Sequence, residues 1–563
     1  MSQPVRSDGP FSRTRGVEPT RPAMSLETRS MPPSYHASSG FPAPRAHIKI
    51  IRLESCAISA DWPWPMVLAR QMLLPALLSL ALLPACRGPD AADVPLAVDA
   101  VGDRAARAIV ADAVNAGLTS RDSAGLVIPG LAQSWRVSDD GLSIVFRLRD
   151  AQFVGGAKVS AADVVDSLQR ARRGNAGALT RDLLAGVTDV NAPLDNVIEL
   201  RLSTPQPELL ELLATPPLAI RARRSRETAG AFLAGAPATG TEKGAVALRA
   251  NPRYFAADRV ALESASVHST EAEAAIQRFN RGETDLVLGG GLDGFGAARA
   301  TAPRGTLQLE QPRAALLLLL NQRQEPLSDP RVRRALALAI DRNALGEAFF
   351  GSRSATGVPA LSPSNIAGYA PPEPGWTAQP FVGRQEEARK LLTEAGFDPV
   401  TNRLKLAVSI RQSPGETRLM ELVAADLAQV GVDLTLERRD ADSQRRAIAT
   451  GSFQLALTRR DTPVDSPLPF LWPNLCRRNN QGVCLPEADK LYAESWKAPT
   501  RGERLTALRE AERLWAENGA AIGLVQPMGW SLVSPRLTGF TANPGGSHSL
   551  RHLSIDPTRR FLK

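Results

Sequence analysis

The sequence predicts an α/β protein whose second half is built on a parallel sheet, and three observations carry that expectation. Residues 386–458 alternate apolar helix faces with apolar strands in regular order, which calls for parallel pairing through right-handed crossovers. Residues 135–202 instead show period-two patterning around one capped helix, as in antiparallel hairpins. The composition, 43% hydrophobic and 22% charged over 563 residues, excludes disordered, collagenous and polytopic membrane classes. At about 100 to 200 residues per domain, two to four domains are expected. No repeat of about 20 to 50 residues is visible, which argues against a solenoid.

Residues 1–65 are rich in Pro, Ser and Arg and lack sustained periodicity. They are expected to be a disordered extension or a mis-assigned start, absent from the mature protein. From Met66 the chain reads MVLARQMLLPALLSLALLPAC. Arg70 precedes an apolar run that is shorter than the ~20 residues of a transmembrane helix and fits a secretory h-region. The run ends in Leu83, Pro84, Ala85 and Cys86, which resembles a bacterial lipobox. Residues 66–85 are therefore expected to be a lipoprotein signal peptide, with Cys86 acylated and the protein held to a membrane by that lipid.

Export agrees with the cysteines. Cys56 would leave with the leader and Cys86 would carry lipid, which leaves Cys476 and Cys484 in the loop CRRNNQGVC. A disulfide in an oxidising compartment is expected there. Metal is not, because neither His548 nor His552 sits at ligand spacing and two ligands do not make a zinc site. The formal net charge of +9 is spread thinly, without a basic tract interleaved with aromatics, so nucleic acid is not an expected partner.

Trp135 and Val137, then Ile144, Phe146 and Leu148 beyond the turn Asp139, Asp140, Gly141, alternate as a hairpin. Ser160 with Asp163 gives a capping-box pattern, and Val164, Val165 and Leu168 form the apolar face of the helix it starts. Ile198, Leu200 and Leu202 alternate with Val197, Glu199 and Arg201 as a half-buried strand. The apolar run from Ala314 to Leu320 ends at Asn321. Asp329 then caps and Pro330 starts a helix with Val332, Leu336, Ala339 and Ile340 on one face. A helix carrying Ala388, Leu391, Leu392 and Ala395 stops at Gly396, and a strand follows with Leu404, Leu406, Val408 and Ile410. A helix over 416–430, a strand through Val432, Leu434 and Leu436, a short helix near 441–450 and a strand through Phe453, Leu455 and Leu457 complete the pattern. Ligands of parallel sheets bind beyond the strand carboxyl ends, and Arg459, Arg460 and Asp461 are expected just past the last one.

Four stretches carry a family resemblance. They are GLVIPGLAQSWRVSDDGLSIVFRLRDAQFVGGAKVSAADVVDSLQRA, EPLSDPRVRRALALAIDRNAL, ARKLLTEAGFD with the strand after it, and CLPEADKLYAESWKAPTRGERLTALREAERLWAENGAAIGLVQP. In this order they resemble the family 5 solute-binding proteins, the peptide- and nickel-binding receptors of ABC importers. The resemblance implies a two-lobed periplasmic-binding-protein fold of the cluster C type, with an extra subdomain in the first lobe. The expected division is 86–313 for the first lobe with its subdomain, 314–525 for the second, and 526–563 returning to the first. It also implies ABC permease subunits as partners, a location on the periplasmic side of the envelope, no cofactor, and a peptide or other small solute as ligand.

The same resemblance bears on single residues. Asp461 matches the aspartate that takes the ligand's terminal ammonium in peptide-binding members; alternatively it pairs with Arg459 or Arg460. Those arginines and Thr458 are candidate ligand contacts beside it. Asn321, at the expected chain crossing, either bonds peptide backbone or caps a strand end, and Trp530 either lines the cleft or packs in the core. Two departures favour a non-peptide solute, such as a nickel chelate, or an envelope protein that has lost ligand binding. Val154, Gly155 and Gly156 stand where the family usually has His-Asp-Gly, and Leu457, Thr458 replace its Gly-Trp pair.

Enzyme chemistry is not expected. Gly289, Gly291 and Gly294 form G-x-G-x-x-G with Glu310 downstream, but the span from Gly294 to Pro303 is too short for the helix of a dinucleotide fold. No histidine stands beside a nucleophile-elbow pattern.

Overall fold

The computed structural model describes residues 95–235, 245–351, 357–556 and 558. Cys86, the expected signal peptide and the N-terminal extension lie outside the described residues. Among the described residues no helix is long and apolar enough to cross a membrane.

Three sheets organise the chain. The first has seven strands in the order Leu307–Glu310, Gly529–Val533, Leu286–Gly290, Leu96–Val101, Ser264–Thr270, Val246–Ala250, Phe232–Gly235. Its centre is parallel, with Leu96–Val101 between Ser264–Thr270 and Leu286–Gly290. A four-stranded antiparallel sheet inserted into this lobe contains the expected hairpin, Ala132–Val137 with Ser143–Leu148, Val137 lying opposite Ile144. Its inner face is Ile144, Phe146, Ile198, Leu200 and Leu202. Helix Ala161–Arg170 covers it, started by the Ser160–Asp163 capping box, which satisfies two of the first-turn donors reciprocally.

The second lobe is a five-stranded sheet in the order Val432–Arg439, Leu404–Arg411, Leu455–Asp461, Ala314–Leu320, Ala521–Val525. Leu404–Arg411 pairs in parallel with both of its neighbours, as the alternating pattern requires. Ala314–Leu320 is antiparallel to Leu455–Asp461 and to Ala521–Val525. It is buried along its whole length because both faces are covered. Leu316, Leu318 and Leu320 face the layer of Leu336, Leu392 and Leu419, while Ala315, Leu317 and Leu319 face that of Leu471, Leu508 and Trp515. At about 1.5–3 kcal/mol per fully buried leucine, this strand anchors the lobe.

The chain passes from the first sheet to the second at 311–313 and back at 526–528. The sequence expectation for the last parallel strand needs correcting. It runs Leu455–Asp461, so Thr458, Arg459, Arg460 and Asp461 lie inside it. Pairing of Ala314, Ala315 and Leu316 with Asp461, Arg460 and Arg459 keeps this charged stretch extended where its composition suggests a loop.

Candidate functional site

Strand Leu455–Asp461 has two different edges. One is paired along its length with Ala314–Leu320, whereas the other meets Leu404–Arg411 only at Leu455 and Ala456. Leu457 is closed off by Gln444, whose Nε2 donates to its carbonyl at 3.1 Å. From Thr458 onward that edge has no strand partner among the described residues.

Strand alternation splits the four candidate residues into two pairs. Thr458 and Arg460 point to the Leu471 side. There Arg460 donates to the carbonyl of Phe470 at 2.5 Å and to Asn474 Oδ1 at 3.0 Å, and burial lowers its pKa to about 10. Arg459 and Asp461 point the other way, toward the first lobe. The expectation that all four share one site is therefore corrected to two that do.

Two contacts close the first lobe onto this place. Arg104, in the first turn of helix Asp103–Val114, donates to Asp461 Oδ1 at 2.7 Å. Asp293, on the loop after strand Leu286–Gly290, accepts from Ser413 Oγ at 2.8 Å and from the Gly415 amide at 2.6 Å. It thus supplements the Ser413 cap of helix Pro414–Ala428 in the second lobe. Glu416, in the same first turn, is paired with Arg411, whose Nε donates at 2.6 Å, and burial holds its carboxyl above the usual glutamate value. Arg459 lies among these groups. Burial lowers its pKa and the Asp461 charge opposes that shift.

Trp530 is a support rather than a lining residue. It is 1% exposed, and its Nε1 donates to the carbonyls of Gly291 at 3.1 Å and Asp293 at 3.2 Å. A Cβ on Gly290 would meet the indole at 2.2 Å, so only glycine lets the loop rest on the ring. Asn321 is also corrected. Its amide donates to Gly451 and Phe453 carbonyls at 2.9 and 2.8 Å, closing the turn before the strand. Because the two strands are antiparallel, Leu320 lies opposite Leu455 and Ala314 opposite Asp461. Asn321 is thus at the far end of the sheet, roughly 20 Å away at ~3.4 Å per residue.

Cys476 and Cys484 are joined, with Sγ–Sγ 2.17 Å. Among the described residues no cluster of three or more His, Cys, Asp or Glu is arranged to hold a metal ion. A cavity of about 20 Å³ bordered by Asp112, Thr119, Tyr254 and Arg551 lies elsewhere, in the first lobe, and has room for about one water. Sequence reasoning missed Arg104, Asp293 and Ser413. The S-P-G-E start of the helix was a signal for Ser413, and the glycine-rich run 289–294 one for Asp293, weighed in the sequence only as a dinucleotide motif and set aside. The arrangement offers a strand edge, one carboxylate and one guanidinium, which is equipment for holding a charged, extended molecule.

The profile of the bacterial extracellular solute-binding proteins, family 5 Middle, matches residues 127–482. The chain is 27% identical over 473 residues to the probable di/tripeptide-binding protein 5 of Pseudomonas aeruginosa (strain UCBPP-PA14), covering 77% of this chain and 88% of the relative. Among solved structures it is similar to Haemophilus influenzae OppA in complex with the peptide RPPGFSPFR, with TM-score 0.73 and 21% identity over 82% of this chain and 99% of that one. It is likewise similar to the Escherichia coli murein tripeptide-binding protein MppA, with TM-score 0.74 and 20% identity over 82% and 99% of the two chains.

Proposed function

Because the chain belongs to the bacterial extracellular solute-binding proteins of family 5, and is a binding protein rather than an enzyme, we propose that it captures small peptides between its lobes for an ABC importer. The observation that carries this reading is the edge of the strand from Thr458 to Asp461, which has no strand partner among the described residues and ends at the carboxylate that Arg104 of the first lobe reaches. A peptide added along such an edge is held by main-chain hydrogen bonds, which tolerate varied side chains. In this reading its terminal ammonium displaces Arg104 from Asp461. A charge-assisted bond is roughly twice as strong as a neutral one, and Arg104 is 71% exposed, so its release costs little. The di/tripeptide-binding relative supports a short ligand.

The reading includes acylation at Cys86, anchorage to the envelope on its periplasmic side, and delivery to membrane permease subunits. Calorimetry with di- and tripeptides on the wild type and Asp461→Asn tests the site: a loss of ~2 to 5 kcal/mol of affinity is expected on removing the charge. Equal affinities would take Asp461 out of the site, and no binding by the wild type would favour a non-peptide solute. Intact mass of membrane-extracted protein beginning at a lipid-modified Cys86 tests the anchor; a soluble product that retains Arg70 overturns it.

A further inference from the structure

A cavity of about 20 Å³ in the second lobe, bounded by Arg333, Arg334, Arg342, Trp376 and Glu517, has cationic walls. It stands apart from the cleft. Ala521 and Ile522 at its floor pair with Leu319 and Leu318, toward the end of the sheet away from Asp461. Arg333 and Arg342 are 6% and 5% exposed, and each uses Nε and Nη1 on main-chain carbonyls. Arg333 donates to Asn518 at 2.9 Å and to Leu327 and Ser328 at 3.0 and 2.7 Å. Arg342 donates to Gly523 at 2.7 Å and to Ala337 and Ile340 at 3.1 Å, with its guanidinium 4.9 Å from the centre of the Trp376 ring. Neither Nη2 has a hydrogen-bond partner among the described residues, and neither arginine is ion-paired with one of them. The acids nearby are engaged elsewhere: Asp329 by Arg331, Asp341 by the Asn343 and Ala344 amides, Asp426 by the Asp341 amide and Glu517 by Arg513. Burial lowers the pKa of both arginines, that of Arg342 to about 9, which leaves it cationic at neutral pH.

Charges withdrawn from water are ordinarily paired. We propose that this cavity binds a monatomic anion of the size of chloride, held by the Nη2 donors of Arg333 and Arg342. Volume sets the class, since about 20 Å³ takes about one water. Chloride is little larger than that, whereas a tetrahedral oxyanion or a carboxylic acid does not fit. Charge sets the sign, because three guanidiniums line the cavity against the one carboxylate of Glu517. The bound ion ties together helix Pro330–Leu338, the end of helix Arg501–Asn518 and the start of strand Ala521–Val525. It therefore stabilises the second lobe whether or not the cleft is occupied, and the inference stands apart from the peptide reading.

The test is urea unfolding of the full chain as sodium chloride replaces sodium gluconate at constant ionic strength. One site that binds only the folded protein lowers the unfolding constant about tenfold for each tenfold rise in chloride above half-saturation. The wild type is expected to approach that slope. Ala337 lines the cavity, so Ala337→Gln should block it with a neutral side chain and Ala337→Glu should supply a tethered carboxylate in place of the ion. Both variants are expected to lose the chloride dependence, and at low chloride Ala337→Glu should be the more stable of the two. A wild type indifferent to chloride, or a slope undiminished in both variants, overturns the site. So does an Ala337→Glu protein no more stable than Ala337→Gln at low chloride. If either variant fails to fold by circular dichroism, crystals of the wild type soaked in sodium bromide decide the matter. An anomalous peak between Arg333 and Arg342 sustains the site, and its absence ends it.

Discussion

Asp293→Ala is expected to loosen the closed lobes more than any change at the better exposed Arg104–Asp461 pair. The Asp293 carboxylate crosses from the first lobe to a hydroxyl at 2.8 Å and a backbone amide at 2.6 Å in the first turn of helix Pro414–Ala428. An N-cap contact is worth ~1 kcal/mol, and a hydrogen bond to a charged group ~1.5–3 kcal/mol. About 2 kcal/mol for the contact corresponds to roughly 30-fold in the open-to-closed equilibrium. In the other contact Arg104 is 71% exposed and Asp461 31%, which limits it to ~0–1 kcal/mol, or about fivefold at most. Spin labels at Leu126 and Val382, which are 66% and 65% exposed in the two lobes, would report the interlobe distance by pulsed electron resonance without ligand. The expected result is a marked shift toward long distances for Asp293→Ala and a smaller one for Arg104→Ala. An unchanged distribution in Asp293→Ala, or a larger effect of Arg104→Ala, refutes the reasoning.

Replacing both Cys476 and Cys484 with serine opens a loop with sequence separation 8, and loop-closure entropy puts the cost at ~2.5 kcal/mol; a denaturant midpoint equal to wild type would contradict this. His552 is held below the usual 6.5, first by burial and then by the Arg551 charge. The unfolded chain therefore takes up the proton first. This residue's contribution to stability is full above about pH 6.5 and is lost as pH falls through the folded value. His552→Gln should flatten the decline in unfolding free energy between about pH 7 and 5, and identical slopes for the two proteins would remove His552 from that account.

What the sequence made legible was whatever short-range pattern controls. The Ser160–Asp163 box and the Asp329 cap act within a turn, and both are present in the structure. The apolar run Ala314–Leu320 could be read as fully buried because nothing polar interrupts it. The cleft was less legible because long-range pairing makes it. Arg104 and Asp461 are 357 positions apart, and Asp293 and Ser413 are 120 apart. The apolar alternation of Phe453, Leu455 and Leu457 ends there, so Arg459, Arg460 and Asp461 read as lying beyond their strand. Only the neighbouring strand keeps them extended, and its antiparallel direction carries Asn321 to the wrong end of the sheet.

The late return of the chain to the first sheet also governs how the protein can be made. Strand Gly529–Val533 lies between Leu286–Gly290 and Leu307–Glu310, which have no strand to join them until it arrives. During synthesis the ribosome must therefore finish nearly all of the second lobe before the first sheet can close. Non-local pairing of this kind is slow, and it leaves unpaired edges open to aggregation. A fragment ending before residue 529 should consequently be a client for chaperones and proteases rather than a smaller folded protein.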